Sequence, residues 1–161
     1  MTKIGKSARY ALYAAMELAR AGERDQVTVA EVAARYAIPP AVLAKVLQRL
    51  VRAGLAVGTR GSRGGYRLAD KPSRVTVLEV LDAFEPRRQP GACLLAAEPP
   101  EQCERGGDCR LRRLFDEVDE LARATFASIS LETLISGRPR LLALGPSGTT
   151  AHAGIGSKPS T

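Results

Sequence analysis

The sequence predicts a mostly α fold carrying one small β-hairpin. Three observations predict it: a Pro39-Pro40 pair between two amphipathic helical patterns, a basic glycine-rich segment between two short alternating runs, and an apolar helical period sustained to about residue 134. Of the 161 residues, 45% are hydrophobic and 25% charged, ordinary globular usage that excludes a collagenous, mucin-like or wholly disordered chain.

The first helix is expected to start on a Ser7 cap, to carry Ala8, Ala11, Leu12, Ala15, Leu18 and Ala19 on one face, and to end near Ala21-Gly22. Thr28-Val-Ala-Glu31 reads as a capping box for a second helix with Val29, Val32, Ala33 and Tyr36 inward. Pro39 and Pro40 suit the opening of a third helix, since proline there gives up no hydrogen bond. That helix runs to about Ala53 with Val42, Leu43, Val46, Leu47, Leu50 and Val51 on its inner face. Lys45, Gln48, Arg49 and Arg52 follow i, i+3, i+4, i+7 spacing and form an outer stripe. Leu55 to Thr59 and Tyr66 to Ala69 form the hairpin, with the tip Arg60-Gly-Ser-Arg-Gly-Gly65. Two helices joined by a tight turn and followed by a basic hairpin make a winged helix-turn-helix.

Thr76-Val-Leu-Glu79 caps a short helix with Val77, Val80, Leu81 and Phe84 inward. Pro90 to Asp108 keeps no period and is interrupted by Pro99, Pro100, Gly106 and Gly107, a loop long enough to demand a function. One long helix is expected from Cys109 to Leu134, with Leu111, Leu114, Phe115, Val118, Leu121, Ala122, Thr125 and Ile129 along one side. At ~1.5 Å per residue it would span roughly 38 Å, more than a small winged domain covers, so a second copy is the expected partner. The domains are then residues 1–85 (DNA-binding), 86–109 (cysteine loop), 110–136 (dimerisation helix) and 137–161, a Gly-, Pro- and Ser/Thr-rich tail expected to be disordered.

Residues 1–89 balance at +8, residues 90–136 at −4 and the tail at +3. Residues 35–74 hold nine basic groups against Asp70 alone, a one-signed field suited to a polyanion. Ala11 to Met16 is the longest early apolar run, too short for a signal core or a membrane span, and the odd cysteine count argues against a disulfide scaffold; a reduced, cytoplasmic location without membrane contact is expected. The only histidine, His152, lies in the tail, so neither a Ser/His nor a paired-carboxylate arrangement supports an enzyme.

Cys93, Cys103 and Cys109 fall within 17 residues. Inert burial fits poorly with a loop broken by proline and glycine. Zinc usually wants four protein ligands with close Cys pairs, whereas three thiolates at wide spacing suit an iron-sulfur cluster completed by another ligand; zinc and a redox thiol remain open from spacing alone.

Ser7-Ala-Arg-Tyr-Ala-Leu12, Leu50-Val-Arg-Ala-Gly-Leu55, Arg60-Gly-Ser-Arg-Gly-Gly-Tyr66 with Leu68-Ala69, and a three-cysteine loop leading to Leu131-Glu-Thr-Leu134 resemble the Rrf-two (Rrf2) family of iron-sulfur winged-helix transcriptional regulators, of the IscR and NsrR type. The resemblance spans residues 4 to about 136. It implies a homodimer that binds a double-stranded DNA operator, as a repressor, under control of a 2Fe-2S or 4Fe-4S cluster sensing iron-sulfur supply, nitric oxide, iron or redox state. Cys93, Cys103 and Cys109 would be the ligands and Arg60 the wing residue entering the minor groove. The fourth ligand does not carry over: Arg112 stands where IscR-like members have histidine, and Arg9 where NsrR-like members have aspartate. Glu98, Glu101, Glu104, Asp108, a small thiol or solvent are the candidates. In the recognition helix Ala41, Val42, Ala44 and Lys45 replace the polar base-reading residues of relatives. Lys45, Gln48 and Arg49, with Arg52 on the same stripe, are expected at the major groove, and Arg60, Ser62 and Arg63 at the wing. The alternatives are a cluster-free thiol or zinc regulator of DNA and an electron-transfer or cluster-carrier module.

Overall fold

A computed structural model describes residues 4–22, 25–61, 64–85 and 109–137. Its elements in chain order are α1 (Lys6–Ala21), α2 (Val29–Tyr36), α3 (Pro40–Arg52), β1 (Ala56–Thr59), β2 (Gly65–Leu68), α4 (Val77–Asp82), α5 (Arg110–Ala127) and α6 (Leu131–Ile135). The mostly α architecture with a two-stranded hairpin is the one the sequence predicts.

Alanine makes α1 the centre of the molecule. Ala8, Ala11, Ala14, Ala15 and Ala19 are buried with Leu18, and a face of methyl groups lets neighbouring elements approach closely. α2, α3, α4, α6 and β2 all pack on α1. Ser7 is not its cap. The N-cap is Gly5, whose amide donates to Glu85 Oε1 at 2.7 Å, so a distant carboxylate starts the helix one residue before Ser7 and leaves Ser7 exposed in the first turn.

Both predicted capping boxes form. Glu31 N donates to Thr28 Oγ1 and Thr28 N to Glu31 Oε2, and Thr76 with Glu79 repeats the pattern at α4. Pro40 takes the first position of α3, whose Leu43, Val46, Leu47 and Leu50 are buried. Val42 and Val51, expected on the same face, are 40% and 37% exposed. Each residue turns the helix by about 100°, which puts these two valines about 90° from the centre of the buried row, at its edges.

The hairpin is antiparallel, in the register Ala56↔Leu68 to Thr59↔Gly65, and Val27 adds a bridge to Tyr66 on the other side of β2. The expected continuous helix from Cys109 to Leu134 is instead two. α5 ends at Ala127, Ser128 caps it, and Ser130 Oγ accepts the Thr133 amide to start α6. The break is stitched to the chain before α4: Val77 N donates to Ile129 O at 2.9 Å and Leu131 N to Val75 O at 2.8 Å. These bonds bury Ile129 and Leu131 in the core, and α6 turns onto α1. α5 is therefore ~27 Å long rather than 38 Å, and it lies against α4.

The two serines give a direct test. Ser130→Ala should cost about 1 kcal/mol in thermal or urea unfolding through loss of the cap, whereas Ser7→Ala should be neutral within about 0.5 kcal/mol, as for a substitution on an exposed helix surface.

Candidate nucleic-acid interface

With Leu43, Val46, Leu47 and Leu50 turned to the core, the outer face of α3 is left to Ala41, Lys45, Gln48 and Arg52, all exposed. These are small or long polar residues with no place in an apolar core. Arg49 departs from the row. Its Nε donates to the carbonyl of Ala83 at 2.6 Å and its guanidinium carbon lies 4.9 Å from the centre of the Phe84 ring, so this exposed side chain leans toward the residues that follow α4.

The hairpin packs on α3 and is tied by backbone pairing to the chain before α2. Val27 N donates to Tyr66 O at 2.8 Å and Tyr66 N to Val27 O at 2.9 Å, while Gln26 Nε2 donates to Thr59 Oγ1. Gly65 permits this approach, since a Cβ there would sit 2.9 Å from the carbonyl oxygen of Val27. Gly61 turns the tip at φ +118, a region that side chains rarely adopt. Between the start of α2, the outer face of α3 and the hairpin runs an open groove of about 720 Å³, bordered by Gln48, Arg52 and Arg60. Arg60 is exposed at its rim; Ser62 and Arg63 lie outside the described residues.

Sequence reading missed a charged cluster that fixes α2 against α1. Glu17 is buried; its Oε1 accepts Tyr36 Oη at 2.7 Å and a bond from Arg20 Nη1, and Oε2 pairs with Arg35 at 2.7 Å. Tyr36 also stacks on Tyr13, ring centres 4.7 Å apart. Burial pushes the Glu17 carboxyl up, but the Tyr36 hydroxyl, Arg20 and Arg35 outweigh it and hold the group below its ordinary value. A glutamate inside the apolar arc of the first helix was the available signal. Arg35 is thus committed to the fold, and Arg74 pairs with Asp70 at 3.8 Å, so the one-signed field of residues 35–74 is partly neutralised.

Of the three cysteines only Cys109 is described. It occupies the N-cap position of α5, half-buried, in no disulfide, and its thiol caps no amide of the helix. Cys93 and Cys103 lie outside the described residues, as do the tail beyond Gly137 and His152. Among the described residues no three His, Cys, Asp or Glu side chains could hold a metal ion, and no helix is long and apolar enough to cross a membrane.

The Rrf2 family model, described as an iron-dependent transcriptional regulator, matches residues 4–137. The HTH-type transcriptional regulator BadM of Rhodopseudomonas palustris is 37% identical over 158 residues, 96% of this chain and 97% of the relative. The HTH-type transcriptional regulator IscR of Xenorhabdus nematophila is 28% identical over 136 residues, 84% of this chain and 80% of the relative. Among solved structures, CymR (YrzC), the global cysteine regulator of B. subtilis, superposes with a TM-score of 0.67 at 26% identity, covering 84% of this chain and 98% of that one.

The Glu17 cluster carries a pH signature. A carboxyl held below its ordinary value of 4.5 stabilises the fold fully above that value and loses the contribution as pH falls through its folded value. Glu17→Gln should cost about 2 kcal/mol at neutral pH, and the gap in melting temperature between the two proteins should narrow as the solution is acidified below pH 4.5.

Proposed function

We propose that this chain, which belongs to the Rrf2 family of transcriptional regulators, is a homodimeric repressor that binds a double-stranded DNA operator and is controlled through its cysteine segment. The observation that carries the DNA reading is the groove between the outer face of α3 and the hairpin, bordered by Lys45's neighbours Gln48 and Arg52 on one side and by Arg60 on the other. Lys45, Gln48 and Arg52 would enter the major groove, where long polar side chains reach base edges and phosphates, and Arg60 with Ser62 and Arg63 would follow the adjoining groove. Ala41 and Val42 offer apolar contact to thymine methyl groups rather than hydrogen bonds. Residues 1–85 would thus be the DNA-binding part, 86–109 the sensing segment, 110–136 the dimerisation part and 137–161 an appended tail, in a cytoplasmic protein.

Dimerisation is supported by α5. Leu111, Leu114, Phe115, Val118 and Leu121 recur at helical spacing, and Leu111 and Leu121 are 62% and 69% exposed. An apolar row of that length on one helix is a surface for its own copy, and a two-fold dimer would place two α3 helices on successive turns of DNA.

Cys93, Cys103 and Cys109 would hold an iron-sulfur cluster. Cys109 fits as a ligand: its thiol is unbonded, partly accessible and set where the free amides of the first turn of α5 favour negative charge. A bound cluster would supply a redox- or nitric-oxide-sensitive bond network between the segment and α5. A cluster-free thiol regulator is the second reading, favoured by Arg112 in place of the histidine of IscR-like members and by the likeness to CymR, the global cysteine regulator of B. subtilis.

Anaerobic purification decides between the two. A brown protein containing iron and sulfide is expected, and a colourless one with free thiols or zinc selects the second. Salt titration of binding to a duplex selected from a random pool tests the interface: Lys45→Ala should lower the slope of log affinity against log salt by about 1. Leu114→Glu combined with Leu121→Glu should give a monomer in sedimentation that binds the same duplex at least tenfold more weakly, since burying those charges costs more than 1.4 kcal/mol.

A further inference from the structure

Four consecutive residues, the last of α4 and the three that follow it, hold three other helices. Both Asp82 carboxylate oxygens accept from Arg123 of α5, at 2.8 Å each. The carbonyl of Ala83 accepts from Arg49 Nε on α3, and the buried Phe84 ring lies under the same guanidinium. Glu85 accepts the Gly5 amide at the start of α1, in so close a contact that a Cβ on Gly5 would come within 2.8 Å of its oxygen.

We infer that residues 82–85 are a joint through which α5 sets the angle of α3, and that Arg49 is a positioning residue for DNA recognition rather than a contact to DNA. The inference rests on the reading of α3 as the DNA-facing helix. Apolar packing is non-directional, so the contacts of Leu43, Leu47 and Leu50 with the core resist separation of α3 better than they resist its rotation or sliding. A planar guanidinium that donates along one direction and stacks on a ring fixes direction as well as distance. With Nε given to Ala83 and the guanidinium face on Phe84, only the terminal Nη groups of Arg49 are left for any other partner. The Arg123–Asp82 pair, a two-pronged contact between side chains only about a third exposed, fixes α5 on the same turn with the same kind of geometry.

Chain order gives the joint its meaning. Glu85 directly precedes the segment that carries Cys93 and Cys103, and that segment ends at Cys109, the first residue before α5, which returns to the joint through Arg123. The joint therefore adjoins that segment at Glu85 and meets α5 at Arg123, and its contact with α3 is Arg49.

The test is a double-mutant cycle on the full chain, read as affinity for a duplex selected by the wild-type protein and for random-sequence duplex. Arg49→Lys keeps the charge but loses the Nε donor and the planar stack; Arg49→Met and Arg123→Met remove one partner of each contact. Each single variant should bind the selected duplex about tenfold more weakly, the equivalent of one charge-assisted hydrogen bond. Affinity for random duplex and the salt slope should stay at wild-type values, and Arg49→Met with Arg123→Met should lose little more than either alone.

Two results overturn the joint. One is wild-type affinity in Arg49→Lys with a salt slope lowered by about 1 in Arg49→Met, the mark of a phosphate contact. The other is losses that multiply to about a hundredfold in the double variant, the mark of independent sites. Far-UV circular dichroism and melting curves check that each variant is folded, and Arg123→Lys replaces Arg123→Met if the latter melts below the assay temperature. A wild-type protein that selects no duplex, or a Lys45→Ala variant with an unchanged slope, overturns the DNA reading itself; the cycle above can fail with both of those results intact.

Discussion

The alanine face of α1 is the constraint on which the rest of the fold depends. Five buried alanines and Leu18 leave no side chain long enough to hold neighbours away, so α2, α3, α4, α6 and β2 close on one sixteen-residue helix. A larger residue at Ala11 or Ala15, both essentially without solvent contact, would have to displace whole helices, because a close-packed interior has no free volume to absorb it. The consequence reaches the surface. α3 and the hairpin owe their relative placement to a shared platform, and the groove between them is the shape left over once both have docked.

Packing on methyl groups sets how near the elements come but not their angles, and the angles are fixed by a few directional contacts between parts distant in sequence. Glu17 ties α2 to α1 through Tyr36 and Arg35; Val27 ties the hairpin to the turn before α2; the bonds of residues 129 and 131 to residues 75 and 77 tie the last helix to the start of α4. This division explains the fate of the basic residues. The sequence between 35 and 74 looks like a uniform positive field, but Arg35 pairs with Glu17, Arg49 with the Ala83 carbonyl and Arg74 with Asp70, while Arg52 reaches only the Gln48 carbonyl of its own helix. These cations remain exposed, but several of them are oriented by contacts within the fold.

Local signals were the legible ones. The capping boxes at Thr28 and Thr76, the proline pair opening α3 and the glycine-rich turn each act within four or five residues, so their physics is complete in the sequence. Errors came where a distant residue won. Ser7 is a good cap by type, yet Glu85 supplies the acceptor from eighty positions away. The apolar period of residues 111–129 runs on into Leu131 and Leu134, yet Ser128 and Ser130 provide two caps and the chain near Val75 provides the backbone partners that make a break stable. For the interface, spacing placed Lys45, Gln48, Arg49 and Arg52 on one stripe and all four are exposed, but a helical wheel cannot see that the Ala83 carbonyl and the Phe84 ring, just past α4, also attract the Arg49 guanidinium.

α5 shows what a fold held together in this way leaves unfinished. None of its eighteen residues is buried, and a helix of that length without a covered face is marginal in water. Toward its C-terminal end Arg123 pairs with Asp82, Phe126 is partly buried at the edge of the core, and Ile129 is buried just beyond the last turn. Toward Cys109 the helix presents Leu111, Leu114, Phe115 and Val118 to solvent. Fully burying an exposed side chain of this kind is worth about 1.5–3 kcal/mol, and these four are already about half covered, so covering the rest contributes roughly 3–6 kcal/mol in all, a large share of the net stability of a small domain. Whatever covers that row also settles the helix that begins at Cys109 and bears on Asp82. A helix with no buried residue thus stands between Cys109 and the Asp82 contact, which is where a regulator needs an element that a modest change in binding energy can reposition.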